Sequence, residues 1–241
     1  MIKNISLKIL SIFDYYYQLK LFKFLKKKEY FNFEYFFDVG AHKGESLKLF
    51  LNNFKIKNIY SFEPSHINFL NLKKNAKRIK RKFKDTNILI ENYALGNEQK
   101  DMDMKQIEES SSSTINDINI ESNYFKKKSK FLYNFNNKFF YEDIKIKQII
   151  LSDYILENKI PKIDFLKIDT EGYEFNVLLG LKNDLKIAKL IMFEHHYHNM
   201  LIKNYKFRDI HQLLKKNNFK QIYKYKMAFR KTFEYIYEYQ K

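Results

Sequence analysis

Several acids in this chain stand where apolar runs end, and their spacing suits the chemistry of a cleft. Phe36-Phe37-Asp38-Val39-Gly40-Ala41-His42-Lys43-Gly44-Glu45-Ser46 sets Asp38 just before a glycine turn. Ile59-Tyr60-Ser61-Phe62 runs into Glu63 and is stopped by Pro64, Ile163 to Ile168 ends in Asp169-Thr170-Glu171-Gly172, and Leu190 to Phe193 ends in Glu194-His195-His196. In an open parallel sheet, the carboxyl ends of the strands form the ligand crevice, and an acid there can accept hydrogen bonds from ribose hydroxyls. A histidine or carboxylate within reach of an incoming hydroxyl can also take its proton. His195 is the first candidate for that role, because Glu194 beside it would raise its pKa or fix its tautomer. Glu171 and Asp169 are the next candidates, and the alternative is that His195, His196 and His198 are loop histidines without a chemical role. Glu63 has an alternative too: capping a helix that begins near Ser65. No metal site is expected, since neighbours in an extended His-His-x-His segment point opposite ways.

These residues need elements to hold them. Tyr35 to Val39 reads as a buried strand, Gly40 and Gly44 bracket a tight turn, and Leu47, Phe50, Leu51 and Phe54 repeat at helical spacing. Glycine permits the sharp bend, and the free N–H groups of the new helix favour an anionic group. Further strands are expected near Ile59–Phe62, Asn87–Leu95, Ile163–Ile168 and Leu190–His196, with helices near Asn68–Phe83, Glu174–Leu181 and Asp209–Asn217. Phe219–Tyr225 and Thr232–Tyr239 alternate and are aromatic, as an antiparallel pair would be. Lys167 lies one step deeper than Asp169 on the same strand face. It is expected to pair with a carboxylate such as Asp38 or Glu194, the alternative being a stem laid on apolar neighbours with its ammonium in water.

With these motifs in this order, the chain resembles the FkbM-type S-adenosylmethionine-dependent methyltransferases of the class I fold, over roughly Tyr35 to Glu194. The resemblance is carried by Asp38-Val39-Gly40-Ala41, Phe62-Glu63-Pro64, Ala94-Leu95-Gly96, Ser112-Ser113-Thr114, Leu151-Ser152-Asp153-Tyr154 and Lys167-Ile168-Asp169-Thr170-Glu171-Gly172. His42 stands where the family often has Asn, and Ser152 where it often has Asp. The resemblance implies a doubly wound, mostly parallel, Rossmann-like seven-stranded α/β sheet with a C-terminal antiparallel hairpin. It implies S-adenosylmethionine as cofactor, with Asp38, Gly40, Ala41, His42 and Gly44 around its methionine part, Glu63 on its ribose, and Asn92, Tyr93 and Ala94 at its adenine. Asp169 would sit near the cofactor amino group or the acceptor. The activity implied is O-methylation of a hydroxyl on a sugar, glycan or secondary metabolite. The alternatives are a dinucleotide-dependent oxidoreductase, disfavoured because Gly40-x-x-x-Gly44 is not Gly-x-Gly-x-x-Gly, and a non-catalytic nucleotide- or membrane-binding protein.

Residues 1–33 read as an amphipathic helical extension and 34–241 as the catalytic domain, with an insertion at about 97–148 holding the serine run Ser110–Ser113 and Lys126-Lys127-Lys128. Such a loop could select substrate or be a plain linker. Ile2, Ile5, Ile9, Ile12 and Phe13 fall at helical spacing, but Lys8 and Asp14 interrupt the run, so a spanning helix or secretory signal is not expected. A helix packed on the domain as a lid is preferred to one lying on an anionic membrane. The net charge is +17, yet only four of the 45 basic residues are arginine: Arg78, Arg81, Arg208 and Arg230. Arginine is the preferred fork for phosphates and guanines, so a solvated lysine surface is expected rather than specific nucleic-acid binding. The chain has no cysteine, which excludes disulfides and thiolate metal sites and suits the cytoplasm.

Overall fold

The computed structural model describes residues 2–107, 112–133, 141–228 and 230–241. Ser110, Ser111 and the aromatics between 134 and 140 lie outside the described residues, as do the side chains of Ile2, Ile5, Ile9, Ile12, Phe13 and residues 131–133. Among the described residues the strands are, in chain order, β1 (Asn32–Val39), β2 (Lys55–Phe62), β3 (Asn87–Glu91), β4 (Ala94–Gly96), β5 (Lys100–Ile107), β6 (Asp117–Ile118), β7 (Tyr141–Ile150), β8 (Ile163–Ile168), β9 (Ala188–His196), β10 (Leu201–Ile202), β11 (Phe219–Lys226) and β12 (Thr232–Tyr239). The helices are α1 (Ile2–Lys27), α2 (Glu45–Leu51), α3 (His66–Lys82), α4 (Asn123–Tyr133), α5 (Leu151–Glu157), α6 (Glu174–Leu179) and α7 (Phe207–Lys216).

Seven strands form one sheet in the order β11-β12-β9-β8-β1-β2-β3. From β9 to β3 every pairing is parallel, whereas β12 runs antiparallel to both β9 and β11. Order reverses at β1, and a topological switch of that kind opens a crevice at the strands' carboxyl ends. Both faces are apolar, as a sheet covered on both sides demands. Phe37, Val39, Leu166, Ile168, Ile191 and Phe193 face one core, and Phe36, Phe165, Leu190, Met192 and Ile236 face the other. The second core is completed by Leu47 and Phe50 of α2 and by Leu21, Phe22 and Leu25 of α1. Burying each such side chain contributes about 1.5–3 kcal/mol relative to exposure. The second half of α1 is thus a core layer, and among the described residues none of α1 lines the cleft described below.

The expected third strand, Asn87–Leu95, is broken. β3 stops at Glu91, and Ala94–Gly96 pairs instead with β7 in a separate three-stranded sheet, β4-β7-β5. The break follows from Asn92, whose amide donates to the carbonyls of Glu63 and Pro64 and so turns the chain. The described residues of the insertion accordingly carry structure of their own: β5 pairs along its whole length with β7, α4 follows β6, and β6 pairs with β10. Among the described residues no helix is long and apolar enough to cross a membrane.

Candidate active site

The β1–α2 turn is built from main chain. Gly40 (φ 79°) and Gly44 (φ 89°) take left-handed conformations open to glycine. The N–H groups of Gly40 and Ala41 both donate to the Phe62 carbonyl at 3.0 Å, tying the exit of β1 to the end of β2. A Cβ on Gly40 would lie 1.9 Å from the Asp169 carbonyl oxygen, so the turn and the end of β8 touch backbone to backbone. His42 is also left-handed (φ 48°), a conformation that both Asn and His visit more readily than most residues. Its Nδ1 lies 3.2 Å from Glu45.

Glu63 is buried and gripped by amides. Its Oε2 accepts from the His42 N–H at 2.8 Å and its Oε1 from the Ser65 N–H at 2.9 Å. Burial pushes its carboxyl up to about 7, against the lowering effect of those two donors. Ser65 itself caps α3 by accepting from the Asn68 N–H. Two accepted bonds leave lone pairs on both carboxylate oxygens for further donors.

Asp38 and Lys167 are register partners on β1 and β8. The ammonium donates to Asp38 at 3.1 Å and lies 3.4 Å from Asp169, while Ser46 Oγ donates to the other Asp38 oxygen at 2.9 Å. Burial alone would lower the lysine's pKa, but the two carboxylates outweigh it and hold the ammonium charged well above the ordinary range. The expected pairing with Asp38 is present, with Asp169 rather than Glu194 as second partner.

Past β8 the chain turns at Glu171, which is left-handed (φ 49°). The turn is held by Glu174, wholly buried, which accepts from the Gly172 N–H at 2.8 Å, from the Thr170 hydroxyl at 3.1 Å and from the Tyr205 hydroxyl at 2.5 Å. From the insertion, Thr114 Oγ1 donates to the Glu171 carbonyl at 2.7 Å. The Glu171 carboxylate meets Nε2 of His196 at 3.1 Å, and the same nitrogen lies 3.2 Å from Glu194. Burial would raise Glu171, but the adjoining His196 outweighs it and holds the carboxyl low. Glu194 is pushed up by burial and by Asp169, and His196, despite burial, is held protonated by the two acids.

His195 is not brought to this cluster. The two-residue period of β9 turns its ring to the opposite face, among Tyr197, Tyr205 and Phe207. Burial there pushes its pKa down to about 3, so the ring is neutral and far from poised for physiological proton transfer. His196 is the histidine beside the acids, and the same alternation, which pairs it with Glu194, was the sequence signal for it.

A cleft of about 570 Å³, counting its open mouth, gathers the carboxyl ends of β1, β2 and β8. Gly40, His42, Glu63, Tyr93, Ala94, Asp169 and Glu171 line it, and Met104, Ser113 and Ile115 of the insertion cover it. Three expected cofactor residues sit one layer back: Ala41 and Gly44 shape the turn, and Asn92 braces Glu63 through its carbonyl. Asp38 is likewise buried behind the wall, bound to Lys167 and Ser46. The cleft suits a nucleoside with an amino-acid arm: Glu63 keeps acceptor capacity for hydroxyls, and the buried Asn68 Oδ1 in its wall has no partner and awaits a donor. Asn68 is a site residue that local sequence does not reveal, since it reads simply as part of an amphipathic helix.

Residues 38–221 match the family model of the methyltransferase FkbM domain. Among solved structures, methyltransferase FkbM from Methylobacillus flagellatus is similar with a TM-score of 0.58 and 16% identity, over 87% of this chain and 44% of that one. The chain thus spans less than half the length of that protein. A putative tRNA (m1A22) methyltransferase from Streptococcus pneumoniae aligns with a TM-score of 0.49 and 10% identity, over 88% of this chain and 67% of that one. Magnesium protoporphyrin IX methyltransferase from Synechocystis PCC 6803, solved with bound S-adenosylmethionine, aligns with a TM-score of 0.49 and 9% identity, over 95% and 81%. No curated protein matches the chain.

Proposed function

From its membership of the FkbM-type S-adenosylmethionine-dependent methyltransferases, which the match over residues 38–221 establishes, we propose that this chain methylates a hydroxyl oxygen on a sugar, glycan or secondary metabolite. The observation that supports this most directly is convergence: Glu63, Asp169 and Glu171, from separate strand ends, line one cleft beside the Gly40 turn. Glu63 would hold the ribose, Tyr93 and Ala94 would flank the adenine, and Asp169 would take the amino group. Bound there, S-adenosylmethionine supplies an already activated methyl group. What remains for the protein is to align the acceptor oxygen and receive its proton, and alignment alone is worth on the order of 7–11 kcal/mol of barrier. Thr114 ties the insertion to the Glu171 carbonyl, and Met104, Ser113 and Ile115 carry it along the cleft wall, from which it would select the acceptor. The lysine-dominated charge and absence of cysteine favour a small-molecule or glycan acceptor in the cytoplasm over a nucleic acid.

Calorimetry of the full chain against S-adenosylmethionine and NAD tests the cofactor. Heat with the former alone is expected, and heat with NAD alone would overturn the reading in favour of an oxidoreductase. Transfer of a labelled methyl group to metabolites of a cell lysate, followed by fractionation, then identifies the acceptor. Label found solely on nitrogen would overturn O-methylation.

A further inference from the structure

His196 presents a single nitrogen to two carboxylates, Glu171 at 3.1 Å and Glu194 at 3.2 Å, and the ring is 5% exposed. With both carboxylates ionised that nitrogen carries a proton, because they then offer it only lone pairs. An imidazolium with two carboxylates carries one net negative charge, and burial favours the proton that would cancel it. Of the three residues, Glu171 alone lines the cleft. We infer that Glu171, His196 and Glu194 act as one proton-holding unit, with Glu171 as the catalytic end that receives the acceptor's proton and His196 and Glu194 as positioning residues behind it.

The inference rests on the methyltransferase reading. In the proton step the acceptor's O–H bond breaks and leaves its electron pair on the oxygen that attacks the methyl carbon. A new O–H bond forms on Glu171, and the unit passes from one net negative charge to none. Other charged and titratable groups face the unit from the surrounding elements. Lys128 of α4 and Arg230, before β12, act on Glu171, and Asp169 acts on Glu194. Tyr124 lies close to both acids, and His198, beside Lys203, faces His196 and Glu171. The cations favour charge on Glu171 at rest, while Asp169 favours proton uptake toward Glu194.

The test uses the full chain labelled with nitrogen-15 at histidine. One imidazole, identified by its loss in His196→Gln, is expected to stay doubly protonated above about pH 8, where a free imidazole has already titrated near ~6.5. In Glu171→Gln and in Glu194→Gln that titration should fall by ~1 pH unit or more. A second readout is the pH profile of labelled methyl transfer to the lysate pool, whose acid limb should move in Glu194→Gln while the affinity for S-adenosylmethionine is kept. A wild-type His196 titrating near its ordinary value, or an unmoved acid limb, overturns the inference, and the wild-type titration decides even if the two glutamate variants fail to fold. Loss of S-adenosylmethionine binding by the wild type is a different failure, that of the methyltransferase reading itself.

Discussion

Glu63 and Glu171 line one cleft and are held in opposite ways. Glu63 is gripped by two main-chain N–H groups from residues within about one strand–turn unit. The Glu171 carboxylate is gripped by the side chain of His196, which also touches Glu194. Amides fixed by a turn bring no charge and survive side-chain substitution, so a cofactor end built from them tolerates sequence drift. Side chains bring charge and can titrate together. The contrast suits a cleft with one end for binding an invariant cofactor and the other for proton chemistry.

The largest effect is expected at the ion pair behind the cleft wall. Lys167→Ala would strand Asp38 as a buried charge without its cation, and denaturant unfolding should show a loss of about 3–5 kcal/mol. A loss within that of ordinary surface substitutions would mean that Lys167 and Asp38 are not a buried ion pair. Next comes the pH dependence of Glu63. Its carboxyl titrates higher folded than unfolded, so the free protein gains stability from that proton at low pH and loses it as pH rises through about 7. The decline amounts to something on the order of 3 kcal/mol. Thermal unfolding between pH 5 and 8 should show it in the wild type and not in Glu63→Gln. Cofactor affinity should run the other way, weakening below about pH 7, since the ionised carboxylate is the better acceptor for ribose hydroxyls.

Smaller effects sharpen the comparison. Glu63→Ala removes a charged acceptor, and calorimetry should show S-adenosylmethionine binding weakened by about 1.5–3 kcal/mol. Binding that stays unchanged would take the ribose away from Glu63. Thr114→Val deletes the hydroxyl that donates to the Glu171 carbonyl. It should cost about 0.5–1.5 kcal/mol of stability, with cofactor affinity intact if the insertion serves only the acceptor end.

The two ends were also unequally legible in sequence. The Gly40 turn, Glu63 and the strand ends are legible because each is marked by a short run of neighbouring residues, although the bonds that fix them reach across strands. The pairing of Lys167 with a carboxylate follows from the cost of a buried charge, and periodicity adds only that Asp169 shares its face. Adjacency to Glu194 in sequence points to His195, whereas the pleat sends adjacent residues to opposite faces and sets His196 beside Glu194 instead. The break after Glu91 depends on an Asn92 side chain reaching carbonyls of another strand. The joining of β4 to β7, across half a hundred residues, left no local mark.

The position of α1 bears on how this chain folds during synthesis. Leu21, Phe22 and Leu25 sit on Phe50 and Phe54, but Tyr17 stacks near Tyr225 at 4.6 Å and Phe24 near Tyr223 at 4.7 Å. α1 is synthesised well before β11 and therefore waits for it before its apolar side is closed. Contacts so distant along the chain are slow to form, and until β11 emerges this face is the natural point of engagement for a chaperone.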